Sequence, residues 1–488
     1  MKRWLRALET TALLLSLAAT AAAQGGQHGA EVSKVVRLNR APVNKEVLKV
    51  KLPRPQVTKL PNGLTVIVLE RHKLPTINFA LWIKTGALAD PGSLPGLASF
   101  TASMLREGTD TRSSEQLATI VDNVGGSVSA NADFGSNLTE ISASGLVESM
   151  ATLLDVMSDE TLHPTFPDSE LDKFRQRQLA NLQFERSDPS FLGNEKLHQL
   201  VYQSFPAAVV APTAESVQKV TGADLKKFHD EYFLPNNAIL GVVGDTTPAQ
   251  VMPMIQKYYG SWASHPVHEP PLAALPLPAP SKITLIDRPG SVQTNILAGD
   301  YAVRRDDPDY IPLFVMNRIL GGGPSARLFI DLREEKGYTY GAYSNFNANI
   351  FPGLWSARTE VRNAVTDGSM QALIAEFKKI REEKVPVPEL DEAKRAIVAG
   401  FALSLESPET LLSAWMNVNY YKLPEDYWDN YTIQISKVTQ DQVQSMARRF
   451  VDLDHIQYVC VGDGKQITDV LKKYGQVQVF DINGKAEN

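Results

Sequence analysis

Cysteine is almost missing from this sequence: Cys460 is the single one in 488 residues. That excludes an intramolecular disulfide and any cysteine-based zinc cluster. A basic excess is also lacking, since the net charge is −6, and this argues against a general nucleic-acid binder. Beyond the N-terminus no apolar run reaches the roughly 20 residues that span a bilayer. With 43% hydrophobic residues the chain can bury substantial cores, which excludes global disorder. At about 150 residues per domain the length suggests three domains.

The first residues are Met1-Lys2-Arg3-Trp4-Leu5-Arg6, followed by an apolar stretch from Thr11 to Ala19 and then Ala21-Ala22-Ala23. A basic head, a short apolar run and an A-x-A site predict a secretory signal peptide over residues 1–23, cut after Ala23. Its removal takes away Lys2, Arg3, Arg6 and Glu9, so the net charge moves from −6 to −8. The expectation is an exported protein, periplasmic in a Gram-negative cell, with no stable membrane anchor after cleavage. Residues 24–55 carry Lys34, Arg37, Arg40, Lys45, Lys49, Lys51 and Arg54 among few large apolar groups, and read as a solvated basic extension.

The remainder is written twice. A helix end, a turn, an apolar strand and a Val-Gly-Asp exit run from Phe228 to Asp245, and again from Met446 to Asp463. The exits are 218 residues apart. The strand pairs Leu64–Leu69 with Asn78–Ile83, and Ile283–Ile286 with Asn295–Ala298, lead to Asp90-Pro91 and Asp307-Pro308, 217 residues apart. The expected organisation is an N-terminal half over 56–264, a proline-rich linker over 265–281 and a C-terminal half over 282–480. Within the linker His265 and His268 form an H-x-x-H pair, but the flanking prolines oppose a helix there and no further ligands are near in sequence. Helices are expected at Val147–Leu162, Glu170–Glu185 and Asp367–Glu383. The fold class is α+β: each half a pair of mostly antiparallel sheet-plus-helix subdomains, with a chamber between the halves. Cys460 aligns with Val242 or Val243 in the repeat, so it is expected to be a buried apolar residue.

The segment from Pro95 to Thr109, Pro-Gly-Leu-Ala-Ser-Phe-Thr-Ala-Ser-Met-Leu-Arg-Glu-Gly-Thr, resembles the motif G-L-A-H-x-x-E-H-M-x-x-x-G-T of the pitrilysin/insulinase-like zinc peptidases, or inverzincins. The resemblance extends over residues 55 to 475 and points to the shorter, processing-peptidase-like branch. In that family two imidazoles four residues apart face one metal, and the glutamate beside the second is the general base. Here Ser99, Ala102 and Ser103 stand at those positions, and Asn181 stands where the third ligand, a glutamate, is expected. A neutral serine hydroxyl is a poor zinc ligand, and with no Lewis acid and no base no water is activated. The remaining histidines (His28, His72, His163, His198, His229, His455) have no i+3 or i+4 histidine partner. Hence no metal is expected in this chain.

The second half keeps a different pattern. Gly321-Gly322-Gly323, followed by Pro-Ser-Ala-Arg-Leu-Phe and running through Arg333 to Tyr340, resembles the family's glycine loop and its S-R-L-F-x-x-L-R-E-x-x-G-x-x-Y motif. In active members the Arg and Tyr of that motif hold the substrate backbone and stabilise the oxyanion. Donors so placed can contribute roughly 3 kcal/mol without a metal of their own. The plain alternative is that Arg333 pairs with Glu334 or Asp331 while Tyr340 fills a core. The glycine loop lacks the Gly-Lys-Ser/Thr ending of a phosphate-binding loop and reads as a flexible turn that touches substrate. Ala130-Asn131-Ala132 resembles the family's edge strand, which binds extended peptides through main-chain hydrogen bonds; an ordinary edge strand is the alternative.

What the resemblance implies is a non-catalytic subunit of an exported zinc metallopeptidase heterodimer. Its partner would carry H-x-x-E-H and the zinc, and this chain would bind peptides and supply Arg333 and Tyr340. A peptide-binding chaperone or scaffold derived from the fold is the alternative. An autonomous metallopeptidase with unrecognised ligands is the third reading.

Overall fold

A computed structural model describes residues 50–268 and 272–486, together with Leu48. The signal-peptide reading and most of the basic extension lie outside these residues. The first half forms β1 (Gln56–Lys59), β2 (Thr65–Glu70), β3 (Thr76–Ile83), β4 (Ser127–Asn131), β5 (Thr139–Leu146) and β6 (Ala238–Gly244). The second forms β7 (Lys282–Asp287), β8 (Gln293–Tyr301), β9 (Ala342–Phe346), β10 (Leu354–Arg362), β11 (Gln457–Gly462) and β12 (Val477–Phe480).

Two six-stranded sheets result, ordered β1-β2-β6-β3-β5-β4 and β12-β7-β11-β8-β10-β9. The repeat is visible in the register: Asn78 pairs with Val243 in one sheet and Asn295 with Val461 in the other. That register makes Val242 the counterpart of Cys460. Cys460 is fully buried, and burial pushes its thiol up to about 12. Most pairings are antiparallel; β2–β6, β7–β11 and β7–β12 are parallel. Each half holds one of the two sheets, backed by helices. In each sheet the last central strand, β6 or β11, returns from far along the chain and inserts between the first two long strands.

The expected helices are present at Met150–Leu162, Asp168–Glu185 and Thr366–Glu382. The halves exchange a helix each. Pro189–Tyr202, from the first half, packs on β8 and β11; Pro408–Tyr420, from the second, packs on β6 and β2. Both start with proline at the first helical turn behind a capping side chain, Asp188 or Ser407. The approach is close: a Cβ on Gly241 would lie 2.6 Å from the Met416 sulfur, and one on Gly193 would lie 2.5 Å from Leu297. Leu412 and Met416 join Ile67, Ile239 and Val243 in one continuous core.

The end of the basic extension is docked, not solvated. Leu52 is buried in that same core, and the Trp415 indole donates to the Pro53 carbonyl at 3.0 Å. Arg54 pairs with Asp429 and stacks 5.1 Å from the Trp415 ring. An apolar Leu followed by a proline with a free carbonyl suits such a strap. In the linker, Gln457 donates to the carbonyls of Ala279 and Pro280 at 3.1 Å, while Asn236 donates to the His265 carbonyl at 2.9 Å.

Candidate functional site

The helix Leu97–Met104 is built by its neighbours in sequence. Asp90, the first Asp-Pro landmark, accepts from the Gly96 amide at 2.7 Å and the Ala98 amide at 2.8 Å, fixing the helix start. Burial pushes the Asp90 carboxyl up to about 7, against the pull of those amides. Gly96 takes φ +98°, and a Cβ there would meet Phe100 and Pro212 near 3 Å, so a side chain is excluded at this entry turn.

Ser99 and Ser103, four residues apart, are half-buried on one face of the helix, whereas Ala102 is buried. Asn181 is exposed on the helix Asp168–Glu185. That helix meets the first through Phe100 and Phe174, with ring centroids 5.6 Å apart, and its Arg177 pairs at 3.2 Å with Glu107 on the turn that follows the first helix. The structure thus places the four positions on two touching helices, yet they offer two hydroxyls, a methyl and an amide. This donor set does not fit a zinc ion, which takes imidazole, thiolate or carboxylate. Among the described residues no group of three His, Cys, Asp or Glu is arranged to hold a metal.

β4 ends at Asn131, with Ser127, Ser129 and Asn131 exposed and Val128 and Ala130 half-buried. Its outer edge pairs with no other strand among the described residues. The Asn131 amide donates to Asp133 at 2.6 Å, and Ala132 lies beyond the strand, buried.

In the second half Arg333 sits on a π-helical turn, Ile330–Glu335, an irregularity common at functional sites. Gly337, at φ +63°, lets the chain turn back so that the Tyr338 amide reaches the Leu332 carbonyl at 2.9 Å. The Arg333 guanidinium lies 4.7 Å from the Phe329 ring centroid and 3.5 Å from Glu334. Tyr340 is 91% exposed, so it fills no core. No hydrogen bond, ion pair or ring contact joins Arg333 or Tyr340 to the helix Leu97–Met104 among the described residues.

The glycine loop is pinned, contrary to the flexible turn expected. The Ser344 amide donates to the Gly321 carbonyl at 2.9 Å. Asn317 donates to the Ser344 carbonyl at 3.1 Å and accepts from the Ser344 hydroxyl and the Trp355 indole. A Cβ on Gly321 would lie 2.3 Å from the Ser344 amide. The loop lines a cavity of about 800 Å³ within the second half, together with Arg318, Tyr343 and Arg358.

Sequence reasoning passed over Glu160, a buried carboxyl on the helix Met150–Leu162. The signal was its place one turn beyond Val156 on an otherwise apolar stripe.

Two models of one family match the chain: "Insulinase (Peptidase family M16)" over residues 65–211 and "Peptidase M16 inactive domain" over residues 219–397. Among curated relatives, the uncharacterized zinc protease YmxG of Bacillus subtilis is 22% identical over 395 residues, covering 81% of this chain and 95% of the relative. The non-peptidase homolog YmxG of Helicobacter pylori is 24% identical over 404 residues, covering 82% and 92%. A solved peptidase M16 inactive domain from Pseudomonas fluorescens superposes with a TM-score of 0.76 at 26% identity, covering 84% of this chain and 98% of that one. A protease structure from Helicobacter pylori, 18% identical with a TM-score of 0.77 over 84% and 100%, shares the fold. Together with the two homologous halves and the substituted ligand helix, these matches show that the chain belongs to the insulinase-like M16 family, in an inactive branch.

Proposed function

We propose that this protein is the non-catalytic subunit of an exported zinc metallopeptidase heterodimer. The observation that carries the reading is a division within one chain. The ligand and base positions are Ser99, Ala102, Ser103 and Asn181, while Arg333 and Tyr340 are kept and stand in solvent, Tyr340 at 91% exposure. A phenol and a guanidinium held outward on ordered backbone are placed to donate hydrogen bonds to something outside the chain. The zinc and the H-x-x-E-H helix belong to a partner of the same family, and peptide substrate lies between the two, along the open edge of β4.

Exposed apolar groups support the same reading. Phe184 is 77% exposed one turn beyond Asn181, and Leu403 is 74% exposed on the helix Val387–Ser404. The two sit 219 residues apart in sequence, at matching ends of equivalent helices. Apolar side chains repeated on matching elements are suited to cover by a partner.

The test is co-purification from the periplasmic fraction, with zinc and peptidase activity measured on the complex and on this chain alone. The complex should hold zinc and cleave peptides; the lone chain should do neither. Arg333→Ala and Tyr340→Phe should each lower kcat of the complex by about 10²-fold, the scale of one lost oxyanion donor. Turnover unchanged by both substitutions would overturn the assignment of these residues.

A further inference from the structure

A cavity of about 290 Å³ opens in the first half between the turn Leu105–Glu107, the helix Ser114–Asn123 and the start of β4. Leu117, Val121 and Val128 form its apolar wall; Arg106, Glu107, Asp122 and Glu160 form its polar one. Glu160 is 3% exposed. Among the described residues no hydrogen bond or ion pair reaches its carboxyl, and Arg106, the cation that acts on it, stands beyond ion-pair distance.

The neighbouring carboxylates are treated differently. Asp159 accepts from Thr109 at 2.8 Å, Thr111 at 3.1 Å and Arg112 at 2.8 Å. Glu107 accepts from Ser114 at 3.0 Å and Arg177 at 3.2 Å. Buried polar groups are normally paired, and one left without a partner calls for an explanation. Desolvation, with Asp159 and Glu107 adding repulsion, pushes the Glu160 carboxyl up to about 7. An incoming cation would remove that penalty. The polar wall carries three carboxylates to one guanidinium, which also favours a cation.

The open edge of β4 is the route in. A peptide strand pairing there puts every second side chain on the face shared by Val128 and Ala130. Val128 is itself part of the cavity wall. We propose that this cavity is a subsite for a basic side chain: a lysine on a strand added to β4 lays its aliphatic stem along Leu117, Val121 and Val128 and brings its ammonium to the Glu160 carboxylate. The inference rests on the peptide-binding part of the proposed function.

The test measures fluorescence polarisation of short extended peptides, each with one lysine, against the same peptides with norleucine in its place. The proteins are the full chain and its Glu160→Gln variant, at pH 8. The wild type should bind a lysine peptide about tenfold more tightly, as expected for a buried charge-assisted contact. Glu160→Gln should abolish the preference while keeping norleucine-peptide binding. Equal affinities in the wild type, or a preference that survives Glu160→Gln, would overturn the subsite. A second measurement needs no strand pairing: n-butylammonium should raise the melting temperature of the wild type but not of Glu160→Gln, with n-butanol as control. Protection without any peptide binding supports the subsite and sinks the peptide reading; neither protection nor binding overturns the subsite.

Discussion

Replacing Glu160 by Gln should stabilise the protein, and only above mildly acidic pH. The Glu160 carboxyl ordinarily titrates at 4.5 and is held at about 7 in the fold, first by desolvation and then by Asp159 and Glu107, with Arg106 opposing. A raised carboxyl means that the folded state binds more protons than the unfolded state between these two values. Stability contributed by the protonated group is therefore complete below 4.5 and is lost as pH rises toward 7. At 1.36 kcal/mol for each pH unit of displacement, ionised Glu160 costs on the order of 3 kcal/mol at pH 8. Glutamine keeps the volume and removes the charge. Urea unfolding of wild type and variant at pH 4.5, 6 and 8 isolates the term, because Asp90, raised to about 7, and Asp300, raised to about 6, titrate in both proteins and cancel in the difference. The expected advantage of Glu160→Gln is near zero at pH 4.5 and grows to about 3 kcal/mol at pH 8. An advantage independent of pH, or a variant less stable at pH 8, would refute the reasoning.

Other outcomes follow from the same structure. Leu412→Ala, which hollows the contact of the exchanged helix above Gly241, should cost about 2–5 kcal/mol in chemical unfolding. Asp90→Ala removes the acceptor for the Gly96 and Ala98 amides and should cost about 1–2 kcal/mol. A triple variant, Ser99→His with Ser103→His and Asn181→Glu, supplies the three protein ligands of a catalytic zinc site on two touching helices, water taking the fourth position. It should retain about one zinc per chain after dialysis where the wild type retains none, measured by elemental analysis.

Much of the fold was legible in the sequence. The matching Asp-Pro pairs and Val-Gly-Asp exits mark equivalent strands, because a repeated order of strand, turn and helix can bury its apolar face in the same way twice. The substitution of the family's ligand and base positions by Ser99, Ala102, Ser103 and Asn181 was legible too, since it is a property of residue type. What escaped were relations between elements distant in the chain. Nothing in the composition of Pro189–Tyr202 or Pro408–Tyr420 says which sheet each covers: an amphipathic helix fits either apolar surface, and close approach at Gly193 and Gly241 decides. The strap at Leu52 and Pro53 read as part of a solvated tail, because the alternation of Leu48, Val50 and Leu52 with Lys49 and Lys51 is short and sits in a stretch rich in basic residues. The glycine loop looked mobile, since the Asn317, Ser344 and Trp355 network that pins it is scattered over 38 residues.

The sequence by itself determined two homologous α+β halves, one buried cysteine, and a peptidase helix without its ligands. All of these are written in residue type, spacing and repetition. Only the tertiary structure decided that the halves interlock through exchanged helices, that Tyr340 stands in solvent, and that Glu160 is buried without a partner beside an open strand edge. Burial and pairing depend on which surfaces meet, and that is settled by packing between segments far apart in the chain.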